Sequence, residues 1–146
     1  MSRVTMLAAL ALAMLVSPSA AATIQVTDAW ARATPGTSTN AAVYFTLTNT
    51  GGAPDKLVSA ESAAAGMCEL HETTTMSGMM HMGASKAVDI PAGGKVMFAP
   101  NGRHLMLMGL KKPLREGEEI SVTLHFTKAR PISAKVSVLD VAAMGP

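Results

Sequence analysis

Along Ile120-Ser121-Val122-Thr123-Leu124-His125-Phe126 the apolar side chains fall on even positions and the polar ones on odd positions. A period of two marks a strand with one face buried. Val136-Ser137-Val138 repeats the alternation. Short segments rich in Val, Ile, Thr, Leu and Phe recur along the chain, separated by Gly, Pro, Asn and Asp. They predict strands at Ile24 to Arg32, Ala41 to Asn49, Lys56 to Ser62, Met67 to Glu72, Met79 to Met82, Ala87 to Ile90, Lys95 to Phe98, His104 to Leu110, Ile120 to Phe126 and Ile132 to Val141. Asn49-Thr50-Gly51-Gly52, Pro91-Ala92-Gly93-Gly94 and Asn101-Gly102 supply turns between them. No stretch sustains a helical period over ten residues, so the fold class is all-β, a sandwich or barrel.

The N-terminus follows a different pattern. Arg3 precedes an apolar run from Met6 to Val16, and Ser17-Pro18-Ser19-Ala20-Ala21-Ala22 supplies small residues at the spacing of a cleavage site. The run falls far short of the ~20 residues that cross a bilayer. Residues 1–22 therefore read as a secretory signal peptide cut after Ala22, leaving one domain over 23–146 and no membrane span in the mature protein. Removing residues 1–22 takes away Arg3 and leaves eleven basic residues against ten acidic ones. No basic block remains that would recognise nucleic acid or an anionic membrane. The single cysteine, Cys68, has no partner for an internal disulfide, so an apolar core must hold the domain together in an oxidising compartment.

The candidate chemistry is concentrated in one region. Of the four histidines, His71, His81 and His104 lie between Met67 and Met108, as do most of the methionines left after residue 22. A single Met is ordinarily a soft filler of the core. Here, however, ten residues separate His71 from Met82, twenty-one more precede His104, and Met106 follows two positions later. On a strand, residues 104 and 106 share a face about 6.6 Å apart. Leu105 and Leu107 then face the core, and His104, Met106 and Met108 face outward, where soft side chains serve no packing purpose. Imidazole and thioether together select monovalent copper, Cu(I), over zinc or iron. Thioethers carry no proton to lose and form no disulfide, which suits an oxidising compartment.

The spacing His71-x10-Met82-x21-His104-x-Met106 resembles that of the periplasmic copper(A) chaperone family, PCuAC, in every interval. The likeness extends through Ala29-Trp30-Ala31-Arg32, Ala42-Val43-Tyr44, Leu70-His71-Glu72, Ile90-Pro91-Ala92-Gly93-Gly94 and His104-Leu105-Met106-Leu107-Met108-Gly109-Leu110. The resemblance implies a cupredoxin-like Greek-key β-sandwich with a Cu(I) site made by His71, Met82, His104 and Met106. It also implies delivery of copper in the periplasm toward the CuA centre of cytochrome c oxidase, with the subunit II CuA domain or a Sco-type protein as partner. The chain departs from the family at two points. Glu72 stands where some members have an additional Met, and the end, Val141-Ala142-Ala143-Met144-Gly145-Pro146, lacks the His/Met-rich tail of others.

Other readings compete with this one. Cys68, His71 and Met76 suggest a blue-copper centre, but on a regular strand Cys68 and Leu70 face the core while Glu69 and His71 face outward, so Cys68 reads as a buried small hydrophobe. His81 adjoins Met82 and would share its site only if the turn were irregular. Met76, Met79 and Met80 flank Gly78 in a hairpin and could form a sulfur-rich lip. His125 reads as a solvated surface histidine. No catalytic triad order, phosphate loop or paired carboxylates recommend an enzyme. Copper delivery, a redox carrier and a metal-free interaction module are the rival functions, and sequestration is the runner-up within copper handling.

Overall fold

The computed structural model describes residues 23–146. The leader expected over 1–22 lies outside these residues. Ten strands make up the domain: β1 (Ile24–Arg32), β2 (Asn40–Asn49), β3 (Asp55–Glu61), β4 (Ala65–Met76), β5 (Met79–Ala84), β6 (Val88–Ile90), β7 (Lys95–Met97), β8 (Arg103–Leu110), β9 (Glu119–Phe126) and β10 (Ile132–Leu139). Each corresponds to one strand expected from the alternation, and no helix occurs among the described residues. Nor, therefore, is any helix there long and apolar enough to cross a membrane.

Hydrogen bonding links the strands in the order β5-β4-β8-β2-β1-β10-β9-β3-β6, with β7 pairing to β2. The sheet is mixed, because β1 runs antiparallel to β2 but parallel to β10. Its path rolls over on itself. β3 packs against β4 and β6 against β2, although each pair lies far apart along the hydrogen-bonded order. The result is a two-layered, cupredoxin-like architecture whose inner faces hold one core. Val43, Leu47, Leu57, Leu105, Leu107, Val122, Leu124, Val136 and Val138 are almost wholly buried there, and Phe45 stacks on Phe98 at 4.3 Å.

Two polar residues are buried for structural reasons. Asn49 accepts from Gly51 N–H at 3.0 Å and donates to the Ala53 carbonyl at 2.8 Å, which fixes the turn after β2. Asp55 accepts from the backbone N–H groups of Lys56, Lys128 and Ala129 at 2.7, 2.9 and 2.8 Å, tying the start of β3 to the loop after β9. Burial pushes its carboxyl up, but those donors and the Lys128 charge outweigh burial and hold it below the usual carboxylate range.

A β-bulge in β1 is the departure from simple alternation that matters most for the site. The register with β2 shifts between Thr27 and Trp30, where Asp28 has a φ of +54°. One extra residue reverses the phase of a strand. Before the bulge Val26 pairs with Leu47, and after it Ala31 pairs with Val43 on the core side. Trp30 is thereby sent to the opposite face, where its ring lies 4.7 Å from that of Tyr44.

Candidate metal centre

The two central strands of this face are β4 and β8. Their register sets Leu70 opposite Leu105 and Cys68 opposite Leu107 on the core side, and therefore sets His71 opposite His104 on the other. The two imidazole rings lie 5.5 Å apart, tilted by 45°. Each ring is held from behind by an acceptor. His71 Nε2 is 3.0 Å from Glu69 Oε2, and His104 Nδ1 is 3.2 Å from the Gly102 carbonyl. A carboxylate and a carbonyl can only accept, so these nitrogens carry the protons. The lone pairs of the neutral rings are left on His71 Nδ1 and His104 Nε2. Both atoms are buried and have no hydrogen-bond partner.

A buried polar atom without a partner is uncommon, and two on adjacent rings call for an explanation. Coordination of a metal by both lone pairs would satisfy them, with Glu69 and Gly102 fixing ring orientation as outer-shell groups do at metal-bound histidines. Burial pushes the pKa of His104 down, the Gly102 carbonyl acts in the opposite sense, and His71 adds a smaller push downward. The net fall keeps the His104 ring neutral and its lone pair free.

The sulfur atoms approach from two directions. Met106 follows His104 on the same face of β8, opposite Glu69 on β4 and Ala42 on β2, and is half-buried. Met82 comes from β5, which pairs with β4 in a hairpin that closes at Met76 and Met79. Ser77 and Gly78 form its two-residue turn, with φ of +53° and +77°. Positive φ at both central positions belongs to the type I′ turn, whose twist suits a β-hairpin. Met82 lies opposite Thr73, so it shares a face with Thr73 and His71.

The hairpin contributes Met80, His81 and Met82 to a cavity of about 320 Å³ that His104, Met106, Tyr44, Arg32 and Asn101 also line. Three of the four expected ligands, Met82, His104 and Met106, therefore border one space. His71 is not among its lining residues but stands beside His104 at its edge.

The structure corrects several expectations. His104 is only 4% exposed although it lies on the face away from the core, and Met106 and Met108 are half-buried rather than open to solvent. The hairpin and the Pro100-Asn101 turn share the cavity with His104, so this face is covered where simple alternation predicts an exposed row. Cys68 is half-buried at the edge of the core, and burial pushes its thiol pKa up, with Glu61 adding to the rise. His81 and Met82 border the same cavity despite being neighbours on a strand. His125 is partly exposed, as expected, and its Nε2 lies 3.4 Å from Glu61 Oε1.

Three residues at the site are not among the expected ligands, although Met80 is one of the hairpin methionines read as a sulfur-rich lip. Met80 repeats, with Met82, the i, i+2 spacing of His104 and Met106, a signal that was present in the sequence. Glu69 carries an equivalent signal two residues before His71. Arg32 carries none. Its guanidinium donates from Nε to the Ala143 carbonyl at 2.6 Å and lies 2.9 Å from Met144 Sδ, tying the C-terminal segment beside the cavity.

Comparison with known proteins places this geometry in a family. Residues 24–138 match the family model for LpqE-like proteins, described as "Putative lipoprotein LpqE-like". The chain is 42% identical over 118 residues to "Putative lipoprotein Lxx21020" of Leifsonia xyli subsp. xyli, covering 80% of this chain and 70% of that protein. It is 36% identical over 114 residues to the uncharacterized protein RP573 of Rickettsia prowazekii, covering 73% of this chain and 61% of that one. Among solved structures, the copper-bound PCuAC domain of PmoF2 superposes with a TM-score of 0.69 at 26% identity, covering 83% of this chain and 96% of that one. The Cu(I) form of DR1885 from Deinococcus radiodurans superposes with a TM-score of 0.64 at 34% identity, covering 84% and 80%. The chain belongs to the LpqE-like family and has the cupredoxin-like fold of the PCuAC domain.

Proposed function

We propose that this protein binds one Cu(I) ion with His71, Met82, His104 and Met106 and passes it to an acceptor protein. The observation that carries the reading is the pair of buried, unpartnered ring nitrogens on His71 and His104, the second of which belongs to a ring lining the cavity with Met80, Met82 and Met106. Two neutral imidazoles and two thioethers form an uncharged, soft donor set, which suits a monovalent soft ion better than Zn(II) or Mg(II). The copper named in two of the matching structures supports the same choice.

Delivery fits the geometry better than permanent storage. The imidazoles are held rigidly, whereas Met82 is 61% exposed on the terminal strand of the sheet. An incoming ligand can replace its sulfur before disturbing buried His104 or half-buried His71. The ion keeps its charge and no proton moves at sulfur, so release is a series of ligand exchanges. The acceptor in this reading is the CuA domain of cytochrome c oxidase subunit II or a Sco-type protein. An exported or cell-envelope location is supported by the lipoprotein relatives and by the pattern of residues 1–22.

The test is a competition titration with a chromogenic Cu(I) chelator, followed by mixing of the loaded protein with an apo CuA domain. One tightly held, colourless Cu(I) that moves to the acceptor is expected. Tight binding with no transfer would convert the reading to sequestration. An intense blue colour on oxidation would point to a redox carrier.

A further inference from the structure

The methionine pattern continues past the four ligands. Two steps beyond Met106 on β8 lies Met108, and its register partner on β4 is Met67. His71 is four positions after Met67, an even number, so both side chains emerge from the same face of β4. The face thus carries three successive cross-strand pairs: His71 with His104, Glu69 with Met106, and Met67 with Met108. Met67 is 53% exposed and Met108 is half-buried. Neither belongs to the core, and neither lines the cavity at His104.

Directly opposed residues of an antiparallel pair hold their Cβ atoms about 4.5–5.5 Å apart, within the reach of two flexible thioethers converging on one ion. Met106 lies one step along the strand on the same side. We propose that Met67 and Met108, with Met106 shared, form a second, outer site for a soft monovalent metal ion, extending the reading above from a single centre to a two-station track. An ion at the outer site moves inward when Met106 keeps its bond to the metal, His104 Nε2 bonds to it, and Met67 and Met108 depart. Thioether and neutral imidazole ligands exchange without proton release, and the metal stays monovalent. The outer station has no imidazole to anchor the ion, so it is weaker than the inner one and fills second.

The test uses the mature chain with ¹³C-labelled methionine methyl groups, titrated with Ag(I), a soft monovalent ion that needs no reductant. The first equivalent is expected to shift the Met82 and Met106 methyl signals, and the second to shift those of Met67 and Met108. In the Met67→Leu/Met108→Leu double variant the stoichiometry should fall from two to one. Met97→Leu serves as the control, because Met97 is exposed on β7 opposite Thr46, and should retain two. Silent Met67 and Met108 signals through the second equivalent, with Met82 and Met106 responding, would overturn the outer site alone. Response of Met67 and Met108 with silence at Met82 would overturn the inner ligand set and leave the outer site standing. Silence at all four would overturn both. Because the wild-type spectrum decides each case, the outcome does not depend on whether the double variant folds.

Discussion

At the scale of single residues, the inner site rests on ring orientation as much as on ligand identity. Glu69→Ala removes the acceptor that holds the proton on His71 Nε2, and should weaken Cu(I) binding by roughly 10–100-fold while keeping all four ligands. A chelator competition titration showing unchanged affinity would mean that Glu69 does not orient the ring. Met106→Leu keeps bulk and apolarity but loses the sulfur, so the fold should survive and affinity should fall in the same assay. Acid should weaken binding as well, because both imidazoles coordinate only when neutral. In the metal-free protein the lowered pKa of His104 has its own consequence. Between the unfolded value near ~6.5 and the lower folded value, the unfolded chain binds more protons than the folded one, so stability falls as pH drops through that window. Denaturant unfolding of wild type and His104→Asn at neutral and mildly acidic pH should show a smaller pH dependence in the variant. The four proposed ligands come from the spacing shared with the copper(A) chaperones and from the softness of their donor atoms. Which ring nitrogen is left free to bind a metal could not be read from the sequence, because it depends on Gly102 and on a carboxylate whose position only the folded strand fixes.

At the scale of elements, the β4–β5 hairpin decides where Met82 sits. Gly78 has open space around its Cα but a φ of +77°, so Gly78→Val would meet backbone strain rather than a clash. Left-handed backbone costs an L-residue about 1–2 kcal/mol, and more for a β-branched one. The hairpin is peripheral, so the thermal midpoint should drop only modestly while Cu(I) affinity falls as Met82 loses its position. Equal affinity in the variant would show that the hairpin does not present the ligand. Strand-forming segments punctuated by turn residues revealed every strand, yet β4 and β5 run further than expected. Gly83 and Ala84 have weak strand preferences of their own and are strands because Glu72 and His71 lie opposite. The bulge at Asp28 was equally invisible. A phase reversal hidden within an apparently continuous strand changes which side Trp30 takes without changing the composition.

At the scale of the whole molecule, the core and the site are separable. Asp55 anchors three backbone N–H groups and takes no part in the cavity at His104, and Asp55→Ala should cost about 2–3 kcal/mol without changing the tight Cu(I) stoichiometry. Its lowered pKa means that this stabilisation is present above the unfolded carboxylate value and is lost as pH falls through the folded one. Equal urea midpoints for wild type and variant would refute the assignment. Intact-mass measurement of the exported protein is expected to place its first residue at or near Thr23. The all-β class could be read from the sequence because alternation is local. The covering of His104 could not, since it depends on how the β4–β5 hairpin and the Pro100-Asn101 turn meet over one face of the sheet. That covering shelters the imidazoles and half of Met106 but leaves Met82 exposed, and this uneven protection of the proposed donors sets a vulnerability. Peroxide converts a thioether to a sulfoxide, replacing a soft donor with a hard, polar oxygen. Met80 and Met82, both 61% exposed, should be damaged before half-buried Met106, and bound Ag(I), which peroxide does not oxidise, should shield Met82 by occupying its lone pair. Peptide mass mapping after peroxide treatment, with and without Ag(I), would reveal that order. A cell under oxidative stress would then lose the site from its rim inward, with the histidine pair intact but unable to hold its cargo.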